Sequence, residues 1–194
     1  MKKSFAIVFG FIVLALLDSL MSYAMPVDFT FQHISVIWHC TFIALLVFVR
    51  DKPLITRLLI GMLVGILFDY FINDSFPFCF FFYACGAAAI GFIAQTWDRT
   101  GVLFTVCLLF CFLLDFLPFC WQKVTGITQI GFGLWFLRME SMTLIVDMAA
   151  IAVIMYFDLV MVRFFLIQKH RRRREEKKTL RKARLARTET SIRP

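Results

Sequence analysis

Apolar residues in this chain come in runs too long for strands and too unbroken for one face of a soluble helix. The runs cover residues 4–23, 33–49, 54–72, 76–95, 101–120 and 141–167. A bilayer core about 30 Å thick takes roughly 20 apolar residues per helix, so each run is read as a span. Apolar residues make up 61% of the 194, against about 45 to 50% in an ordinary soluble domain. The expected fold is therefore all-α. A polytopic domain of about six transmembrane helices occupies residues 1–167, and a basic cytoplasmic tail occupies residues 168–194.

The run boundaries carry their own signals. The first run follows Lys2 and Lys3 like a signal peptide, but it is long for a signal core. Ser22-Tyr23-Ala24 also makes a poor small-residue cleavage site, so the run is read as retained. Pro53 suits a helix start. Residues 121–140 contain Gly126, Gly131 and Gly133 and are too polar and broken for a span. An interfacial or re-entrant segment is expected there.

Charge sets the orientation. The formal charge of +8 is concentrated at the C-terminus, because twelve of the 21 Lys and Arg fall between Lys169 and Arg193. Lys2, Lys3, Arg50, Lys52, Arg57 and Arg99 join that tail on one side, leaving only Lys123 and Arg138 opposite. Basic residues are retained in the cytoplasm, so both termini are expected there. Arg171, Arg172, Arg173 and Arg174 directly follow the last run and are read as a topological anchor and a contact for anionic lipid, at about 1 kcal/mol per basic residue. Nucleic acid is not expected as a partner, because no aromatic residue is interleaved for base stacking.

Carboxylates inside the spans are the sharpest chemical signal. An ionised Asp at mid-bilayer costs about 2.5 to 3.5 kcal/mol on insertion scales and by default marks a function or a partner. Asp18, Asp69 and Asp115 lie late in outward-running spans and Asp147 early in the inward-running sixth. Four acids thus share the outer third of the membrane, and an outward-open polar cavity or a partner surface is expected. Cys107, Cys111 and Asp115 repeat at four-residue spacing, but a metal site there needs a histidine at the same depth. His39 is expected nearer the middle of its helix, so no metal or cofactor is assigned. The six cysteines (Cys40, Cys79, Cys85, Cys107, Cys111, Cys120) are read as small core residues, with a Cys79 to Cys120 disulfide left open. No G-x-S-x-G, Walker loop or H-E-x-x-H is present, so no enzyme is expected.

Gly61, Gly65 and Asp69 are spaced i, i+4, i+8 and share one helix face. Gly-x-x-x-Gly lets two membrane helices approach closely, and the expected partner is the fourth helix, whose stretch from Cys85 to Gly91 includes Gly86 and Gly91. These five residues are read as a helix-packing or partner interface. The stretch Leu59-Ile60-Gly61-Met62-Leu63-Val64-Gly65-Ile66-Leu67-Phe68-Asp69-Tyr70, with the small-residue helix after it, resembles the MreD family of rod-shape-determining membrane proteins. The resemblance covers about forty residues. It departs at Asp74-Ser75-Phe76-Pro77, where the family often has Leu-Gly, and in the long basic tail. It implies a non-enzymatic scaffold of the bacterial wall-elongation complex in the plasma membrane, associating with an MreC-like protein and with the RodA and penicillin-binding synthases. MreD is also similar in helical layout to the substrate-binding subunits of energy-coupling-factor vitamin transporters. In that rival reading the outer acids line a ligand pocket. Loops rich in Phe and poor in polar groups favour the scaffold.

Overall fold

The computed structural model describes residues 2–28, 33–70, 78–96 and 100–191, with the side chains of 2–7, 95–96, 169–170, 172 and 177–191 left out. The turn from Asp74 to Pro77, Arg99, and the side chains of Lys2, Lys3 and Arg172 therefore lie outside the described part. Every regular element among the described residues is helical: α1 Lys2–Ala24, α2 Cys40–Val49, α3 Leu54–Phe68, α4 Phe78–Thr96, α5 Thr100–Val124, α6 Phe132–Trp135, a π-helical turn Phe136–Glu140, and α7 Ser141–Ser191. The stretches Thr100–Val124 and Phe132–Glu176 are each long and apolar enough to cross a membrane. The chain divides into two compact units, Met1–Met155 and Tyr156–Pro194.

In the first unit α2 is the central element, and eight of its ten residues are buried. Phe42 meets the Tyr83 ring of α4 at 4.6 Å between centroids, and Phe48 meets Phe11 of α1 edge to face at 5.7 Å. Ile90, Cys107, Cys111 and Ile151 complete a core drawn from α2, α4, α5 and α7. In the second unit a single helix exposes Tyr156, Phe157, Phe164 and Ile167. Its backbone remains helical to Ser191.

α1 ends at Ala24, two residues before Pro26, where the ring forbids the helical geometry of the preceding residue. The next helix does not begin at His33 as the hydropathy run implies. Residues 34–39 are non-helical and α2 starts at Cys40. Its ten residues rise about 15 Å, half the thickness of a bilayer core. The extended lead-in is held by neighbouring chain, with Ser35 N–H donating to the Arg138 carbonyl at 2.9 Å and Ile37 N–H to Thr143 Oγ1 at 3.1 Å. Non-helical backbone satisfied by protein in this way is what an apolar environment tolerates.

Residues 121–140 divide between the end of α5, a turn, and the short helical stretch that leads into α7. α5 runs through Pro118 to Val124, a turn follows in which Gly126 adopts φ +74°, and helical structure resumes at Phe132. Trp135 stacks on Phe119 at 4.6 Å between centroids and 16° between planes, and the rings of Phe112, Phe116 and Phe132 surround it. This aromatic cluster ties α6 to α5. The wide π turn then leads into α7 and places Glu140 inside. Glycines and charges lower the average hydropathy here, while the aromatic residues do the packing.

Two smaller expectations also change. No disulfide joins Cys79 to Cys120, and Cys85 is exposed rather than in the core. Arg57, read as a loop charge, is 2% exposed. Its guanidinium donates to the Lys52 carbonyl at 2.7 Å and the Ala88 carbonyl at 3.1 Å, and lies over the Phe92 ring.

Candidate functional site

Each helix begins with backbone N–H groups that have no partner inside the helix. Asp18 and Asp69, two of the four acids singled out in the sequence, answer that need in another helix. Asp18 of α1 accepts from the Cys40 N–H at 3.1 Å and the Thr41 N–H at 2.7 Å, at the start of α2. Asp69, at the C-cap of α3, accepts from the Cys79 N–H at 3.0 Å and the Phe80 N–H at 2.8 Å, at the start of α4. Both carboxylates are buried, and a negative charge at a helix N-terminus also meets the positive end of the helix dipole. Each hairpin is thus closed by an acid from its first helix clamping the start of its second.

The glycines beside Asp69 bring α3 onto the α4 backbone. A Cβ at Gly61 would stand 2.8 Å from the Tyr83 carbonyl oxygen and 2.9 Å from the Ala84 Cα; at Gly65 it would stand 2.5 Å from the Cys79 carbonyl oxygen. Gly86 and Gly91 play different parts. Gly86 faces the Phe42 ring and Leu46 of α2, and Gly91 leaves room for the Arg57 guanidinium. The five glycine and aspartate positions read as an interface are therefore engaged inside this chain.

Asp115 and Asp147 converge on His39, the residue just before α2. Its Nδ1 is 3.0 Å from Asp147 Oδ2 and its Nε2 is 3.3 Å from Asp115 Oδ1. The loop, α5 and α7 each supply one member. An imidazolium has two donors, so a protonated His39 satisfies one oxygen of each acid. Four carboxylate oxygens remain without a donor: Asp115 Oδ2, Asp147 Oδ1, and both oxygens of Glu140, which is 0% exposed. Glu140 lies within electrostatic reach of Asp115, His39 and Asp147. Cys111 of α5 completes the group, and ligating atoms of His39, Cys111 and Asp147 all lie within 4.8 Å of one another.

Asp18, Asp69, Asp115 and Asp147 therefore separate into two pairs, one clamping helix starts and one flanking a histidine. Sequence reasoning placed His39 too deep because it started the second helix too early. It passed over Glu140 because that residue sits at the edge of a run. An ionisable side chain next to an apolar run deserves the same scrutiny whether acidic or basic, and that rule marks His39. No family model, curated protein or solved structure matches this chain.

Proposed function

We propose that this chain is a non-enzymatic membrane scaffold of the MreD type, serving the bacterial wall-elongation complex and crossing the plasma membrane six times with both termini cytoplasmic. The observation that carries the reading is the joint use of Gly61, Gly65 and Asp69. The two glycines admit the α4 backbone and the acid, one turn on, clamps its first N–H groups. That use gives a physical reason for the Gly-x-x-x-Gly-x-x-x-Asp pattern on which the resemblance rests. A rigid α3 and α4 pair is what a scaffold presents to partner helices. The surfaces available to an MreC-like protein, RodA or a penicillin-binding transpeptidase are the exposed apolar ones, such as Leu59, Leu63 and Ile66 on α3. Arg171, Arg173 and Arg174 are exposed on the last helix and suit an anionic leaflet.

The vitamin-binding alternative needs polar groups free to meet a ligand. Asp18 and Asp69 are committed to backbone N–H groups and Asp115 and Asp147 flank His39, which weighs toward the scaffold. Affinity purification of the tagged protein in mild detergent, with mass spectrometry of its companions, separates the two. Recovery of MreC-like and wall-synthase proteins supports the scaffold. Recovery of paired ATPases with a coupling membrane protein overturns it.

Asp69→Asn is expected to lower thermal stability in detergent and to reduce recovery of those companions. The amide keeps one acceptor oxygen but turns an NH₂ toward a backbone donor, at a cost of about 1 to 2 kcal/mol for a damaged cap. Unchanged melting, companions and cell shape would remove Asp69 from the proposal.

A further inference from the structure

The group around His39 has more acceptors than donors. Even with His39 doubly protonated, Asp115 Oδ2, Asp147 Oδ1 and both Glu140 oxygens find no N–H or O–H among the described residues. Buried polar atoms are nearly always satisfied, so one such atom is tolerable and four in one place call for an explanation. A proton on Glu140, which lies in hydrogen-bonding reach of Asp115, serves those two groups but leaves Asp147 Oδ1 without a donor. A cation serves several acceptors at once and needs no donor.

The donor types name the cation. An imidazole nitrogen, a cysteine sulfur and a carboxylate oxygen are the set that zinc takes at a tetrahedral site. Ligand atoms around such an ion stand about 3.3 to 3.8 Å apart, as bond lengths of about 2.0 to 2.3 Å require. The atoms of His39, Cys111 and Asp147 already lie within 4.8 Å of one another, so small side-chain rotations close the site. All three residues are buried.

We infer that a ring nitrogen of His39, Cys111 Sγ and a carboxylate oxygen of Asp147 bind a divalent transition metal, zinc by preference. The His39 ring is oriented for this. Nδ1 faces Asp147, and Nε2–H points at Asp115 Oδ1, the carboxylate to histidine to metal arrangement that fixes the imidazole tautomer. As the sulfur–metal bond forms, the Cys111 S–H bond breaks and its proton passes to solvent. The ion joins the lead-in to α2 with α5 and α7, three parts of the first unit that no disulfide connects. This inference goes beyond the scaffold reading and does not depend on it.

The test uses the full-length protein in detergent, purified through a tag without histidine. Elemental mass spectrometry is expected to find about one zinc per chain. Chelation followed by cobalt(II) is expected to produce the visible bands of a tetrahedral site with a thiolate-to-cobalt charge-transfer band. Cys111→Ser should abolish the charge-transfer band, and Asp147→Asn should weaken zinc binding by more than about tenfold. Cys85→Ser, at an exposed cysteine, should change neither. Should the variants fail to fold, the wild-type protein decides alone, through its cobalt spectrum and the rise in its melting temperature on adding zinc. A wild-type protein with no bound metal, no thiolate band and no thermal shift overturns the inference, as does full zinc retention in the Cys111→Ser, Asp147→Asn double variant. Metal-free protein that still recovers wall synthases overturns this inference alone; zinc-bound protein without them overturns the scaffold alone.

Discussion

His39→Ala is expected to destabilise the chelator-treated protein by about 3 to 5 kcal/mol, the range for removing one partner of a buried ion pair. The ring stands between Asp115 and Asp147 at 3.3 and 3.0 Å, and both acids are almost fully enclosed. Removing it leaves two carboxylates facing a cavity with Glu140 close by and no donor for any of them. The penalty belongs to the stranded charges rather than to the lost contacts. Adding Asp115→Asn and Asp147→Asn to His39→Ala should therefore recover most of the loss, and the three changes should be strongly non-additive. Thermal melting of each variant in one detergent measures this. Equal losses in the single and triple variants would show that the ring matters through its volume alone.

Gly65→Ala is expected to separate α3 from the start of α4. A methyl at this position meets only backbone: the Cys79 carbonyl oxygen at 2.5 Å, the Phe80 Cα at 2.7 Å and the Cys79 carbonyl carbon at 2.8 Å. A side chain can rotate out of the way, but a helix has to translate. Overpacking of this kind costs about 1 to 3 kcal/mol. The shift also pulls the Cys79 and Phe80 N–H groups from Asp69, removing a cap worth about 1 kcal/mol. Alanine is the better helix former by about 1 kcal/mol, so the net loss should be about 1 to 3 kcal/mol. Gly10→Ala is the matched control, because a Cβ there has nothing within 4 Å and only the propensity gain remains. Its melting temperature should equal or exceed wild type. If both variants behave alike, the close approach of α3 to α4 is absent in solution.

The helical class and the face shared by Gly61, Gly65 and Asp69 obey local rules, since long apolar runs demand internally satisfied backbone and four-residue spacing aligns side chains on a helix. The start of α2 obeys no local rule. Residues 33–39 belong to the same apolar run as residues 40–49, and the helix begins where Asp18, 22 residues upstream, accepts from Cys40. The hydropathy run was one feature in sequence and two in space. Similarly, Arg57 reads as a turn charge, because only the space left by Gly91 on another helix reveals where its guanidinium goes.

The order of apolar runs along this chain determined that it would be helical, and glycine spacing determined which face of α3 could approach a neighbour. The tertiary structure alone decided which acids clamp helix starts and which meet His39. That division depends on the relative depth of side chains on α1, α3, α5 and α7, and depth is set by how far each helix slides along its neighbours. Apolar side chains tolerate many such offsets with similar burial. A carboxylate opposite an N–H at 2.7 Å, or an imidazole between two acids, tolerates one.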